Sequence, residues 1–146
     1  MQIYKVTDKT KYMPLLLLAD EQENMIFKYL DKSDMYVLDD DGIKGEIVVC
    51  VEEDGTLEIK NLAVAPEFRR RGYGRALVDR ICELYKDRFS TVSVGTGDSP
   101  LTIPFYEKCG FERSHTAANF FTDNYDHPII ECGVTLKDMI YLKKQI

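Results

Sequence analysis

The sequence lacks the features that would place it in a specialised class of protein. It has no tryptophan and only two histidines, and its four cysteines form neither a CxxC pair nor a zinc-binding spacing. We therefore expect no metal site, and we expect free, buried cysteines in a reducing cytoplasm. No apolar run approaches the ~18–20 residues that span a membrane, so no membrane partner is expected. The ordinary composition, 45% hydrophobic and 30% charged, predicts one globular domain over residues 1–146.

One apolar run near the N-terminus faintly resembles a signal peptide. The stretch MPLLLLA, residues 13–19, follows three lysines, but it is at the lower length limit for such a peptide and no A-x-A cleavage pattern follows it. We interpret the run as a core helix. The next segment, ADEQENMIFKYL, continues the helical spacing, which predicts two short helices broken near Asp20.

The formal net charge is −6 and the isoelectric point is about 5.0, so a general nucleic-acid partner is not expected. Within this acidic chain, residues 69–75 read RRRGYGR, which places four arginines and two glycines in seven residues. The basic cluster is local. A local cluster favours a small anionic ligand over an extended polyanion.

Three strands in succession are predicted in the first half of the chain. The predicted strands are MYVLDD, IKGEIVVCVE and TLEIKNLAVA. The turn signals DDDG and EDG separate them, which indicates an antiparallel meander. An amphipathic helix follows from Gly72 to Arg88, with an apolar face of Leu77, Ile81, Leu84 and Tyr85. The next strand is STVSVGTG. Strand, helix and strand in this order predict a right-handed crossover, so the strands that end near Ala65 and Gly95 should be parallel.

The last third of the chain is predicted to add one helix and two strands. The helix begins with Thr102 as N-cap and ends at Gly110, and the strand FERSH follows. Residues 117–133 are expected to be irregular, and TLKDMIYLKKQ closes the chain as a strand. The elements together predict a single α/β domain with a mixed sheet.

The glycine-rich cluster falls between the third strand and the long helix. The N-terminus of a helix presents unpaired N–H groups and the positive end of the helix dipole, and glycines allow a close approach of the backbone to a ligand. This arrangement suits phosphate. Because GxxxxGK[ST] and the third glycine of G-x-G-x-x-G are both absent, neither ATP nor NAD is supported. An ordinary helix start with solvated arginines is the alternative.

Two segments resemble one known family. LAVAPEFRRRGYGRAL resembles the acetyl-CoA loop of the GNAT-superfamily N-acetyltransferases, and PFYEKCGFE, residues 104–112, is similar to the family's FYEK segment. The resemblance covers nearly the whole chain in element order. It implies a single-domain GNAT fold, with a mixed, mostly antiparallel central sheet and a βαβ core that binds acetyl-CoA as cosubstrate. The segment before the last strand also looks like that of an extended bacterial subgroup.

The same resemblance implies which residues contact the cosubstrate. Arg69, Gly72 and Gly74 occupy the motif positions, and the backbone amides from Arg70 to Arg75 would hold the pyrophosphate. Ser99 stands where many members carry an asparagine that touches the CoA arm. Backbone groups at the end of the third strand would bind the pantetheine. The full expected set is Leu62, Ala63, Val64, Arg69, Arg70, Arg71, Gly72, Tyr73, Gly74, Arg75 and Ser99.

Acetyl transfer to an amine needs a base for the ammonium proton, a donor to the thioester carbonyl and an acid for the thiolate. By resemblance the acid is Tyr106, although a tyrosine that only packs in the core would look the same. Glu58 is the expected base, on one face with Lys60 and Leu62 until a bulge intervenes, and a solvated carboxylate is the alternative. The carbonyl donor is expected at the backbone of Ala63 or Val64.

Two other candidate bases are Asp98, beside Ser99, and His115, whose pKa lies near neutrality. Acidic residues near Asp20 would attract a cationic amine acceptor, whereas residues 39–41 and 52–54 are expected to be turn residues that serve solubility. A homodimer is possible, since dimers are common in the family. The alternative function is a non-catalytic acyl-CoA-binding regulatory or interaction module.

Overall fold

A computed structural model describes residues 1–146 and contains nine strands. Seven of them form one sheet in the order β1-β2-β3-β4-β5-β9-β6, and β7 pairs with β8 in a small hairpin. The strands are β1 (Gln2–Val6), β2 (Asp34–Asp39), β3 (Ile43–Val51), β4 (Leu57–Val64), β5 (Thr91–Gly97), β6 (Glu112–Ala117), β7 (Ile130–Glu131), β8 (Val134–Thr135) and β9 (Met139–Gln145).

Five α-helices connect these strands. They are α1 (Met13–Ala19), α2 (Glu23–Phe27), α3 (Tyr73–Tyr85), α4 (Ile103–Lys108) and α5 (Phe120–Asn124). Short 3₁₀ turns at Lys9–Tyr12 and Pro66–Phe68 precede α1 and α3. None of the helices combines the length and the apolar character needed to cross a membrane.

The predicted topology is confirmed. Strands β2, β3 and β4 form the antiparallel meander, and β4 pairs with β5 in parallel across the α3 crossover. Helix α4 begins after Thr102, and Gly110 follows it with a φ of 97°, as the turn chemistry predicted. The single α/β fold with a mostly antiparallel mixed sheet is the architecture that the sequence indicated.

Three elements were not predicted. Strand β1 is short and mostly exposed at the sheet edge, so it carries little alternation of apolar and polar residues. Helix α5 and the β7–β8 hairpin lie inside residues 117–135, most of which the sequence indicated to be irregular. These elements are too short to carry a periodic signal, and a small separate core of Phe121, Ile129 and Leu136 holds them in place.

The sheet separates two cores. The larger one packs α3 and α4 against one face, and the smaller one packs α1 and α2 against the other. In α3 the prediction of Leu84 as a core position was wrong, because its side chain is 39% exposed, and the fully buried Val78 lies in the core instead. The prediction that MPLLLLA is a core helix is confirmed, since α1 places Leu16 in the smaller core with no exposed surface.

All four cysteines are free, as expected, but they are not all buried. Cys50 and Cys109 are buried and Cys82 is partly buried. Cys132 is exposed, contrary to the prediction, because it lies in the tight β7–β8 turn with a φ of 50°. A turn residue of this kind projects toward solvent whatever its hydrophobicity.

Candidate active site

A gap opens in the sheet between β4 and β5. The two strands pair only where Leu57, Glu58 and Ile59 face Val92, Ser93 and Val94. Beyond Ile59, β4 continues to Val64 with β3 on one side and no strand on the other. The second half of β4 therefore presents backbone N–H and C=O groups that no strand of this protein satisfies.

The backbone groups that face the gap follow from the pairing of β4 with β3. The Ala65 N–H donates to the Lys44 carbonyl at 2.9 Å, immediately beyond the paired residues. In an antiparallel pair the hydrogen-bonded positions alternate, so the Ala63 amide also points toward β3. The amides of Leu62 and Val64 point into the gap. Of the two predicted carbonyl donors, Val64 is thus placed to donate and Ala63 is not.

Directly after β4 the chain forms a loop of unpaired amides. The backbone N–H groups of residues 70 to 75 donate to no acceptor in the protein, and the first bond of α3 runs from the Ala76 N–H to the Gly72 carbonyl at 3.0 Å. Arg70 and Gly72 have φ values of 65° and 83°, which turn successive amides toward one side. Such a concave row of donors at the start of a 13-residue helix fits a pyrophosphate.

The side chains of the loop are arranged around these amides. The four arginines, Arg69, Arg70, Arg71 and Arg75, are all exposed. Arg71 lies over the Phe68 ring at 5.4 Å, and Arg75 is 3.7 Å from Asp79 on the next turn of α3. The Tyr73 hydroxyl donates to Asp40 at 2.6 Å and anchors the start of the helix.

Gly74 brings the start of α3 close to α4. A Cβ atom at this position would lie 3.2 Å from the Phe105 ring. The next residue of α4 is Tyr106, which is 7% exposed and packs edge-to-face against the rings of Phe105 and Phe111. The close contact between the helices therefore fixes the tyrosine relative to the amide loop.

The Tyr106 hydroxyl makes no hydrogen bond within the protein. Burial, with smaller contributions from Cys109, Glu46 and Glu131, raises the pKa of Tyr106 above its ordinary value. The phenol therefore stays protonated throughout the physiological range. It is a free donor that lies next to the gap-forming end of the sheet.

Glu58 lies at the other end of the gap, just before a bulge in β4. Val48 pairs with Asn61 and Val49 pairs with Ile59, so Lys60 is the extra residue. After the bulge Asn61 and Ala63 share the face of Glu58, whereas Leu62 packs into the larger core on the opposite face. The sequence predicted a bulge in this strand. Because the extra residue is Lys60, which precedes Leu62, Leu62 lies on the face opposite Glu58.

The Glu58 carboxylate is 7% exposed and is paired with Lys60, which also contacts Glu52 at 2.8 Å. Burial raises the pKa of Glu58 to about 7, with Lys60 lowering the pKa and Glu52 raising it. The carboxylate can therefore gain and lose a proton near neutrality, as a general base must. Glu52 was expected to be a turn residue that serves solubility, but it contacts Lys60 and so belongs to the same cluster of charges as Glu58.

Three further predicted residues are placed less favourably. The Ser99 hydroxyl is buried and accepts a hydrogen bond from the Leu101 N–H at 3.1 Å, which supports the turn before α4. Asp98 is exposed. His115 is exposed on β6, where it stacks on Tyr141 at 4.6 Å and contacts the Ser114 hydroxyl. Asp98 directly follows β5, which flanks the gap, whereas His115 lies on β6, two strands from β5 in the sheet order.

The break between α1 and α2 is covered by the segment before β9. Asp20 accepts hydrogen bonds from Tyr125 at 2.6 Å and from Tyr29 at 3.3 Å, and burial raises the pKa of its carboxyl. Nearby, His127 lies 3.7 Å from Glu21. The acidic residues around Asp20 were predicted from the sequence, but their partners were not, because 105 residues separate Asp20 from Tyr125.

Two buried polar residues on the same face of the sheet were also missed. Glu46 on β3 has no exposed surface, and Asn61 on β4 is 3% exposed. A signal for both is present in the sequence, since each is a polar residue inside an apolar strand, in GEIVV and KNLAV. Helices pack against both faces of the sheet here, so a polar residue inside either strand has no route to solvent.

The gap, the amide loop and the buried tyrosine lie where the sequence analysis expected the cosubstrate to bind, and comparisons with known proteins identify the family. The family model for the acetyltransferase (GNAT) domain matches residues 31–113. The chain belongs to the GNAT family of acetyltransferases. It is 34% identical over 131 residues, 88% of this chain and 84% of the relative, to the uncharacterized N-acetyltransferase YvbK of Bacillus subtilis.

Two solved structures of similar proteins contain the cosubstrate or its product. A GNAT family acetyltransferase from Elizabethkingia anophelis, with acetyl-CoA bound, is 34% identical with a TM-score of 0.92 over 99% of this chain and 97% of that one. An acetyltransferase from Bacillus subtilis in complex with CoA is 31% identical with a TM-score of 0.89 over 99% and 98%. This chain is accordingly an acetyl-CoA-dependent acyltransferase, as the sequence predicted.

Proposed function

We propose that this protein transfers the acetyl group of acetyl-CoA directly to a cationic primary amine. The observation that carries this proposal is the continuity of the β4–β5 gap with the amide loop. A gap edged by the unpaired backbone of residues 62–64 suits an extended amide-bearing arm, and the loop at its end suits the pyrophosphate. Acetyl-CoA supplies an activated thioester. The residues of the chain bind it, orient it and handle protons.

One side chain at each end of the gap is suited to one role in the reaction, a hydrogen bond to the leaving thiolate or removal of the amine proton. Tyr106 donates to the departing sulfur, because its hydroxyl is protonated and has no competing acceptor. Glu58 accepts a proton from the amine, directly or through water, because its pKa of about 7 keeps much of it ionised at neutral pH. The Val64 amide, which faces the gap, is the proposed donor to the thioester carbonyl.

The preference for a cationic acceptor rests on the charge near the break between α1 and α2. Glu21 and Glu23 are exposed there and Asp20 is partly buried, whereas the acidic residues 39–41 connect β2 to β3, where Asp40 accepts a hydrogen bond from Tyr73 at the start of α3. Negative charge at the entrance raises the local concentration of an ammonium-bearing molecule. The rate with such amines should fall as ionic strength rises.

The test is release of CoA on mixing acetyl-CoA with a panel of amines. Turnover with cationic amines supports the proposal. Tight acetyl-CoA binding without turnover on any amine would instead support the alternative of a non-catalytic module. The same preparation, examined by sedimentation, tests whether the expected homodimer forms.

Replacing Glu58 with glutamine is expected to lower kcat about 100-fold, since removal of a general base typically has an effect of this size. In the wild type, kcat should rise with pH through about 7 and then level off, because ionisation of Glu58 is required. The Glu58→Gln variant should lose this step in the pH profile while its affinity for acetyl-CoA is unchanged.

Glu52→Gln is the matched control, because Glu52 contacts the same lysine. Glu52 raises the pKa of Glu58, so its neutralisation should move the step in the profile to lower pH without loss of the maximal rate. A wild-type profile without a step near pH 7, or a Glu58→Gln profile that retains it, would remove Glu58 from the role of base.

A further inference from the structure

Three buried acceptor atoms on one face of the sheet have no donor. Both carboxyl oxygens of Glu46 and the side-chain oxygen of Asn61 are inaccessible to solvent and make no hydrogen bond. The Ala63 amide is near enough to lower the pKa of the Glu46 carboxyl, but it makes no hydrogen bond of normal geometry with either oxygen. Buried polar groups without a partner are rare and call for a ligand, a water or a catalytic role.

The two side chains are neighbours on adjacent strands. Glu46 pairs with Ala63, and Val48 pairs with Asn61, so all four residues lie on the same face. Diagonal positions in such a pair lie roughly 7–8 Å apart, which long side chains can span. Ala63 stands between Leu62 and Val64, whose amides line the gap. The unpartnered oxygens are therefore beside the place where acyl transfer is proposed.

The surroundings supply no cation for Glu46. No lysine or arginine lies within salt-bridge distance, and the titratable groups that sense its charge are two tyrosines, Tyr29 after α2 and Tyr106 on α4. The side-chain NH₂ group of Asn61 donates to the Leu16 carbonyl at 3.0 Å and to the Tyr29 hydroxyl at 3.2 Å. Its oxygen is left free by this fixed orientation.

We propose that Glu46, with the side-chain oxygen of Asn61, binds the reacting primary ammonium group of the acceptor, and that this ammonium is carried on an apolar alkyl chain. When Glu46 is ionised, its two oxygens and the Asn61 oxygen are three acceptors without a donor, and an ammonium group has three donors and no acceptor. It also supplies the positive partner that a buried carboxylate requires. This inference rests on the proposed function and specifies its substrate class.

The shape of the surroundings gives the second half of the proposal. The fully buried side chains of Leu16, Val37 and Val48 share this face of the sheet with Glu46. Apolar walls of this kind accommodate a methylene chain but not the hydroxyl-rich rings on which aminosugar amines stand. Linear alkylamines and lysine-like side chains therefore fit, and aminoglycosides do not.

Binding of the amine should release a proton. Burial raises the pKa of Glu46 well above its ordinary value and so favours the protonated carboxyl before the amine arrives. Pairing with an ammonium leaves it ionised, and up to one proton passes to solvent for each amine bound. Titration of n-hexylamine into the protein–CoA complex, in two buffers of different ionisation enthalpy, measures this proton without any turnover.

The kinetic test compares Glu46→Gln with the wild type. We expect KM for n-hexylamine to rise about 100-fold, since a buried charge pair is lost, with kcat and KM for acetyl-CoA changed less than about threefold. Proton release on binding should disappear, and Glu46→Asp should restore part of the affinity. Glu83→Gln, which removes one surface charge on α3, should match the wild type. Glucosamine, whose amine stands on a hydroxyl-rich ring, should be a poor substrate for the wild type.

The outcomes separate this inference from the proposed function. Wild-type turnover of n-hexylamine together with an unchanged KM in Glu46→Gln would overturn the role of Glu46, and would indicate a buried water at the orphan oxygens. Equal rates with n-hexylamine and glucosamine would overturn the restriction to apolar chains. Absence of turnover and binding for every amine, with acetyl-CoA still bound, would remove the proposed function itself.

Discussion

Replacing Gly72 with valine is expected to weaken acetyl-CoA binding by at least about 100-fold. Gly72 has a φ of 83°, a conformation that a β-branched residue avoids, and it lies within the row of unpaired amides at residues 70–75. No protein atom lies within 4 Å of the place where a Cβ would stand. The valine therefore clashes with nothing in the protein. It re-orients the amides and fills space that the pyrophosphate needs. Calorimetric titration with acetyl-CoA measures the loss.

Gly55→Val is the matched control for backbone strain. Gly55 has a φ of 82°, and a Cβ added there would likewise have no neighbouring atom within 4 Å, but the residue lies in the β3–β4 turn away from the loop. Both variants should lose similar stability, about 1–2 kcal/mol, because the same conformation is strained. Only Gly72→Val should lose binding. Arg71→Ala should weaken binding by less than about tenfold, since an exposed charge contributes little. Equal, slight effects of Gly72→Val and Arg71→Ala on acetyl-CoA binding would indicate that the loop is an ordinary helix start.

The amide loop could be predicted because everything that shapes it is local in sequence. The turn at Gly72, the helix start at Tyr73 and the preceding strand are contiguous in the chain, and their spacing is visible as a motif. The same holds for the α4 segment with Thr102 and Gly110. Local rules on caps, turns and periodicity are sufficient for such features.

The acceptor side could not be predicted, because it is assembled from distant parts of the chain. Asp20, Tyr29, Asn61 and Tyr125 form one chain of hydrogen bonds. Only Asp20 and Tyr29, which flank α2, are near in sequence; Asn61 is 32 residues from Tyr29 and Tyr125 is 105 from Asp20, and no spacing rule relates them. The position of the bulge at Lys60 also depends on the register of β3 against β4, and a shift of one residue moves Leu62 to the opposite face.

Glu46 and Glu58 lie on the same face of the sheet but are suited to different roles, recognition of the amine and proton exchange. Glu58 is paired with Lys60 and titrates near neutrality, which suits proton exchange with solvent. Glu46 has no hydrogen-bond partner, and burial raises the pKa of its carboxyl and so favours the neutral form until a cation arrives, which suits recognition. Their sequence contexts, GEIVV and TLEIK, give no sign of this difference. Burial and neighbours determine it.

Replacing Tyr106 with phenylalanine is expected to lower kcat about 100-fold while acetyl-CoA binding stays within about twofold of the wild type. The hydroxyl makes no hydrogen bond in the protein, so its removal leaves the packing against Phe105 and Phe111 intact and no partner unsatisfied. The raised pKa of Tyr106 makes complete transfer of its proton to a thiolate unfavourable. Its contribution is therefore a hydrogen bond to the developing charge, and the loss should be independent of pH between about 6 and 9.

Replacing Tyr85 with phenylalanine is expected to lower stability and not turnover, the opposite of Tyr106→Phe, and so tests the role assigned to Tyr106. Tyr85 is a second buried tyrosine of the larger core, but its hydroxyl donates to Asp34 at 2.6 Å and contacts the Tyr36 hydroxyl at 2.9 Å. Its loss should lower the free energy of unfolding by about 1–2 kcal/mol, because those partners are left unpaired, and should leave kcat unchanged. Tyr106→Phe should show the reverse, with unfolding in urea unaffected and turnover reduced. If Tyr106→Phe retains the wild-type kcat, the tyrosine only packs in the core, and the thiolate of CoA departs without an acid from this helix.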